Sequence, residues 1–281
     1  MRGRTDRVVP NSGAVHLHRS SFIVLLLLLA CAAPHTHHAP TRVVILAPNL
    51  TEMAYAIGAG DLVVGRDDAS DFPPQVARVP SVGAGIQPNV EKIVALHPDL
   101  VVALAAGLHP NLSRSLEAQH IPLLVIRTER LDQIAGSMMQ LGAALHRDAK
   151  PAATAMQQAL LAQRRTRAKK PRLIFAVWTD PLYIAGRNTF TDDLYQLTGA
   201  ANAATVTGWP QWSLESLIVE RPDLLLYPNR SVSRSQVDAL VARVNVAPRV
   251  VAVDENVFTR PGPRVAEAAA ALNRILDEWE R

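Results

Sequence analysis

Two carboxylates with matched surroundings stand out in the chain. Glu91 opens the segment Glu91-Lys-Ile-Val-Ala-Leu-His-Pro98-Asp99-Leu-Val-Val102, and Glu215 opens Glu215-Ser-Leu-Ile-Val-Glu-Arg-Pro222-Asp223-Leu-Leu-Leu226. Glutamate, apolar pair, Pro-Asp and apolar run recur at identical spacing. Asn89 and Ser213, two residues earlier, are good N-caps, so each glutamate falls in a first helical turn, where the dipole favours negative charge. Capping accounts for either glutamate alone; their recurrence at matching places in two lobes points to a functional pair. Other reactive groups are sparse. Of nine histidines, five precede residue 40, which leaves His97, His109, His120 and His146 at helix ends or in loops. None lies in a Gly-x-Ser-x-Gly, His-Glu-x-x-His, Walker or Gly-x-Gly-x-x-Gly motif, so no enzyme reaction is indicated. Four scattered histidines also fall short of the convergent ligands that a free transition-metal site needs.

The elements that must position these groups follow from hydrophobic pattern and punctuation. Each repeat reads as a short helix ended by Pro98 or Pro222 and continued by a strand, Leu100–Leu104 or Leu224–Tyr227. Both strands are continuously apolar, as in a sheet covered on both faces. Upstream, a strand is expected over Arg42–Ala47, then a capping-box-like Asn49-Leu-Thr-Glu52 opening a helix to Gly58, then a strand over Leu62–Gly65. Strands separated by helices imply right-handed crossovers and a mostly parallel sheet. Ile134, Met138, Leu141 and Leu145 mark one face of the next helix. Asp148 then caps a helix with Pro151 near its start, expected to reach about Ala168, roughly 30 Å at 1.5 Å per residue. That is long enough to connect two domains. The second lobe opens with a strand over Arg172–Val177, with Trp178 in the loop beyond it. A helix over Phe190–Leu197, the second repeat, a helix from Ser233, a strand over Val250–Val253 and a final helix to Trp279 complete it.

With 281 residues, 48% of them hydrophobic and 19% charged, the chain fills one large or two modest cores. The net charge of +4 does not indicate a nucleic-acid partner, because the first thirty residues hold four arginines against one aspartate. Without them 25 basic face 24 acidic residues, and no broad basic face is required. Those thirty residues read as a targeting segment: a basic stretch precedes the apolar run Phe22 to Ala30, too short to span a bilayer. Leu28-Leu-Ala-Cys31 resembles the lipobox of bacterial lipoproteins, in which the cysteine is lipidated. Ordinary cleavage near Ala32 or Ala33 is the alternative. Cys31 is the single cysteine, so no internal disulfide forms. Pro34 to Pro40, with His35, His37 and His38, is read as a spacer.

Five motifs, Asp71-Phe-Pro-Pro74, the twice-used Glu to Pro-Asp-Leu segment, Pro181-Leu-Tyr-Ile-Ala-Gly186, Trp209-Pro-Gln211 and Arg260-Pro-Gly-Pro-Arg264, appear in family order. Over about residues 41 to 281 the chain resembles the substrate-binding proteins of ABC importers for cobalamin, haem or ferric siderophores. Its nearest likeness is to the cobalamin-binding members. The resemblance implies an α/β fold of two Rossmann-like lobes with mostly parallel sheets, joined by a single long helix, with a ligand cleft between them. It assigns 1–30 to a signal peptide, 31–40 to a tether, 41–147 to the N-terminal lobe, 148–170 to the connecting helix and 171–281 to the C-terminal lobe.

The same resemblance implies a monomeric, periplasmic or lipid-anchored protein, attached to the membrane only through Cys31. It serves an ABC permease dimer with its ATPase subunits. The protein has no cofactor and no bound metal of its own, and the metal chelate is its transported ligand. Glu91 and Glu215 inherit permease docking by position. Trp209 and Tyr183 match aromatic ligand contacts, Trp178 lies where cleft residues are expected, and Asn256 to Arg260, including Phe258, matches a loop that touches the ligand. A large plate with polar edges suits aromatic walls, which give broad apolar contact at small entropic cost. Arg260 and Arg264 suit an anionic siderophore or haem instead. The first lobe departs from the cobalamin pattern: Ala69 and Gly83-Ala-Gly85 stand where flat aromatic walls are expected, so a cobalamin relative or a different chelate stays open.

Overall fold

The computed structural model describes residues 39–244 and 246–281. The leader, Cys31 and the histidines of the spacer lie outside the described residues. From residue 39 on, two parallel sheets follow one another along the chain. The first has the order β2-β1-β5-β6, with β1 at Val43–Ile45, β2 at Val63–Arg66, β5 at Leu100–Leu104 and β6 at Leu123–Ile126. A two-residue hairpin, β3 (Gly83–Ala84) with β4 (Gln87–Pro88), projects between β2 and β5. The second sheet has the order β11-β10-β7-β8, with β7 at Arg172–Thr179, β8 at Leu182–Ile184, β10 at Leu224–Pro228 and β11 at Arg249–Val253. The strand β9 (Ala201–Asn202) adds to β7 in parallel, and β8 is antiparallel to it.

Alternation of side chains along the buried strands explains why these strands are apolar at every position. Val102 of β5 belongs to the central core and its neighbour Val101 to an outer one; Leu224 and Leu226 of β10 face the central core while Leu225 and Tyr227 face another. The central core is continuous across both lobes. It takes in α1 (Pro48–Ala56), α4 (Leu131–Ala144), α5 (Lys150–Leu161), α6 (Phe190–Leu197) and α10 (Val265–Glu280). Ile134, Met138, Leu141 and Leu145 are all fully buried there.

Four local expectations are corrected. The helix α5 ends at Leu161 rather than near Ala168. Beyond it the chain leaves the helix through a turn, and Arg167 is buried: its guanidinium meets the Thr198 carbonyl at 2.9 Å, Asp277 at 2.8 Å and Glu280 at 2.9 Å, pinning the connector to α6 and α10. Asn49 and Glu52 do not cap α1, whose N-cap is Ala47; both are buried within the helix and bond elsewhere. Trp178 lies within β7, not in the loop after it. The N-cap of α5 is Ala149 rather than Asp148, which stands one residue earlier and still accepts from the Lys150 amide at 3.0 Å.

Candidate functional site

The two copies of the repeated segment use the same caps, turns and helix-to-strand bonds. Asn89 and Ser213 cap α2 (Val90–Ala95) and α7 (Leu214–Glu220), accepting from Lys92 N at 2.8 Å and Ser216 N at 3.1 Å. Glu91 and Glu215 sit exposed in the first turns. The Glu215 carboxyl is held below its usual range by its own backbone N–H and by the Ser213 hydroxyl. Each helix then turns through a left-handed residue before its proline, His97 at φ 46° and Arg221 at φ 42°. Asp99 accepts from the amides of Thr41 at 2.7 Å and Arg42 at 3.0 Å, just before β1, and Asp223 from the amide of Arg172 at the start of β7 at 2.7 Å. Arg42 and Arg172 reach back to the helix-end carbonyls of Leu96 and Glu220. Aspartate and arginine thus lock helix to strand, which fixes where each glutamate stands.

In the C-terminal lobe three large aromatics are exposed at one edge: Trp178 (43%), Tyr183 (39%) and Trp209 (45%). Trp178 and Tyr183 are register partners across β7 and β8, so they share a face. Tyr183 also bridges Gln211, which brings Trp209 beside the hairpin. Buried Phe190 supports the Trp209 ring at 5.9 Å, and the indole N–H of Trp178 donates to the Asp180 carbonyl at 3.0 Å. Large apolar rings backed by fixed partners and left open to solvent form a ready contact surface. Trp212, in contrast, is buried in an outer core of the second lobe, and Trp279 packs against the central core.

Two other expected contacts are withdrawn from the cleft. Phe258 is 1% exposed and packs its ring 6.5 Å from Phe175. Arg260 is 8% exposed, and its guanidinium is occupied by Asp71 at 2.6 Å, Glu52 at 3.2 Å and the Ala69 carbonyl at 3.0 Å. Arg264 bonds Glu52 at 2.6 and 2.9 Å and lies 4.1 Å over the Phe72 ring. Asn256 is partly exposed and accepts from Arg230, which also reaches Asp71 at 2.9 Å. Asn49 completes the set by donating to the Pro261 carbonyl at 3.0 Å. Glu52 and Asp71 belong to the first lobe and the arginines to the second, so this network fastens the lobes together. Burial pushes the Asp71 carboxyl up, but Arg260 and Arg230 outweigh it and hold the group below its usual value. A second fastening pairs Arg130 with Asp193, whose carboxylate also accepts from Leu131 N at 3.0 Å.

The first lobe offers a recess of about 320 Å³ at the carboxyl ends of β1, β2 and β5, the place where parallel α/β sheets hold ligands. Its lining is aliphatic, with the small residues Ala47, Ala69, Ala84, Gly85, Ala106 and Gly107 beside larger ones such as Ile86 and Leu104, and with Asp67 and Asp68 among the lining residues. Burial raises the Asp67 carboxyl despite bonds from Ser70 and the Ala69 amide.

A family model described as periplasmic binding protein matches residues 43–260, which spans both lobes. The chain belongs to the periplasmic binding protein family. A vitamin B12-binding protein of Pectobacterium carotovorum is 32% identical over 253 residues, 87% of this chain and 91% of that protein. One from Yersinia pseudotuberculosis is 30% identical over 266 residues, 92% and 93% of the two chains. Among solved structures, the periplasmic haem-binding protein of Roseiflexus aligns with TM-score 0.76 at 26% identity, covering 85% of this chain and 99% of that one. The vitamin B12-binding protein of Vibrio cholerae shares the fold, with TM-score 0.69 at 24% identity over 86% and 99%.

Within this family fold, sequence reasoning missed the residues that join the lobes. Glu52 stands three residues after Asn49, the spacing of a capping box, and Arg260 and Arg264 have no adjacent acidic residue in sequence, so their partnership across the junction leaves no local mark. The matched arginines that lock helix to strand within each lobe, Arg42 just before β1 and Arg172 at the start of β7, do carry a sequence signal, since they stand at equivalent places before the two repeats. His109 caps α3 (Pro110–Ala118) through Nδ1, and His97, His120 and His146 are left-handed residues at helix ends. Among the described residues no cluster of His, Cys, Asp and Glu is arranged to hold a metal ion. No helix among them is long and apolar enough to cross a membrane.

Proposed function

We propose that this protein is the extracytoplasmic substrate-binding component of an ABC importer and that its cargo is cobalamin or a related corrinoid. The observation that carries the cargo assignment is the exposed aromatic edge of Trp178, Tyr183 and Trp209, a rigid apolar contact surface for a macrocyclic plate. Relatives at 30 and 32% identity that are named for vitamin B12 favour the same cargo. Haem or a ferric siderophore is the competing cargo. The case for it from anion binding is weakened, because Arg260 and Arg264 are already neutralised by Glu52 and Asp71. Asn256 remains a candidate polar contact. The protein carries its ligand and does no chemistry on it.

Residues 1–30 serve as the export signal and 31–40 as the tether. Lipidation of Cys31 would hold the protein at the membrane surface. Glu91 and Glu215, exposed on equivalent first turns of the two lobes, dock with cations of the permease dimer. Such a pair fixes orientation and speeds encounter more than it adds affinity. Capture proceeds with modest lobe movement, since a continuous core and two ionic fastenings resist wide opening.

Calorimetric titration with cyanocobalamin, haemin and a ferric siderophore tests the cargo. Saturable binding of cyanocobalamin, lost in Trp209→Ala, is expected. Tight binding of another chelate with no heat from cobalamin overturns the assignment. For docking, Glu91→Ala combined with Glu215→Ala should leave ligand affinity intact and stop uptake in cells; undiminished uptake removes that role.

A further inference from the structure

The two lobes present surfaces of different kinds. The C-terminal lobe presents broad rings, whereas the N-terminal lobe presents a hollow lined by five alanines, two glycines and four aliphatic side chains, none of which contributes a ring. The hollow is built in. The β3–β4 hairpin lies so close to β1 that a Cβ on Gly85 would stand 2.2 Å from the Leu46 carbonyl oxygen, so backbone packing holds this wall in place. At about 320 Å³ it lies at the low end of the roughly 300–1,000 Å³ of small-molecule pockets, room for a bicyclic substituent but not for a macrocycle. Its rim adjoins the lobe junction, because Ala69 both lines it and receives the Arg260 guanidinium.

The polar groups at this hollow are acceptors. Asp67 is committed to Ser70 and to the Ala69 amide. Asp68 is exposed; one of its oxygens accepts from the Ser81 hydroxyl, and the other takes no bond among the described residues. A group bearing N–H or O–H donors suits this edge, and a phosphate does not, since carboxylates repel it and no cation lines the hollow.

We propose that this recess is the subsite for a neutral, nucleoside-like axial substituent of the bound corrinoid, of which an adenosyl group is the type. This rests on the corrinoid reading above. The plate lies against Trp178, Tyr183 and Trp209, and the substituent projecting from its other face fills the hollow, with its amine or ribose hydroxyls donating to Asp68. The tethered nucleotide on the opposite face of a cobalamin carries a phosphodiester, which the exposed Asp68 carboxylate lining the hollow disfavours.

The test compares adenosylcobalamin, cyanocobalamin and dicyanocobinamide by tryptophan-fluorescence or calorimetric titration under dim red light, with the full-length mature protein. The wild type should bind adenosylcobalamin at least about tenfold more tightly than cyanocobalamin, about 1.4 kcal/mol. Ala84→Trp and, independently, Ala106→Trp fill the hollow and should bring that ratio to about one by weakening the adenosyl form alone; two positions guard against one failing to fold. Equal affinity for the adenosyl and cyano forms in the wild type, or a ratio that the tryptophans leave unchanged, overturns the subsite while the corrinoid reading stands. If the tryptophans instead weaken cyanocobalamin and spare dicyanocobinamide, which lacks the nucleotide, the hollow takes the tethered base and the axial assignment is wrong. If no corrinoid binds, both readings fall together.

Discussion

Glu52→Ala is the most revealing single change to the scaffold. Glu52 is 3% exposed and makes three charge-assisted bonds across the lobe junction, to Arg260 at 3.2 Å and to Arg264 at 2.6 and 2.9 Å. Truncating one member of a buried ion pair costs about 3–5 kcal/mol, because its partner is left charged and desolvated. The lower end applies here. Arg260 keeps Asp71 and the Ala69 carbonyl, and Arg264 keeps the Asn256 carbonyl and the face of Phe72. A loss of about 3 kcal/mol in a domain of this size lowers Tm by roughly 6–12 °C. Differential scanning calorimetry reads this directly, and a double-mutant cycle with Arg264→Ala separates the pair from its surroundings. The double variant should be less destabilised than the sum of the singles by about 1–3 kcal/mol, since removing the cation relieves the unpaired charge. A fall in Tm under about 2 °C, or strict additivity, refutes the claim that this network fastens the lobes.

Three further outcomes follow from the same geometry. Because Arg260 and Arg230 hold the Asp71 carboxyl below its usual value, its contribution is fully present above the unfolded value near 3.9 and is lost as pH falls below that. Acid unfolding of Asp71→Asn should therefore show a smaller drop in stability below about pH 4 than the wild type, and superimposable acid limbs would exclude the linkage. Gly85→Ala should lower the denaturant midpoint by an amount equivalent to about 1–3 kcal/mol, because its Cβ would overlap the Leu46 carbonyl; an unchanged midpoint would mean that the hairpin moves freely. Tyr195 is fully buried, burial raises its phenol, and its hydroxyl has no hydrogen-bond partner among the described residues. Tyr195→Phe should thus be neutral or stabilising by up to about 1 kcal/mol in thermal melts, and a clear loss would reveal a partner for the hydroxyl.

The sequence by itself determined the class of fold, the internal repeat and the placement of the two glutamates. These are local properties: N-caps act over three residues, Pro98 and Pro222 stop a helix wherever they stand, and a strand covered on both faces is apolar throughout. Trp209 and Tyr183 were singled out by likeness to family motifs rather than by any spacing rule, and both are exposed. What only the tertiary structure decided was the partner of each charge and the direction each side chain took. Glu52 and Arg264 are 212 residues apart, and Asp71 and Arg260 are 189 apart, so no spacing rule connects them. Phe258 turned inward because Phe175 of the neighbouring β7 offered a buried face, and the helix after Asp148 stopped at Leu161, with Arg167 beyond it held by partners on α6 and α10. The hollow beneath Ala69 and Ala84 was visible in sequence only as missing aromatics. Packing of the Gly85 backbone against β1 made that absence a space with walls.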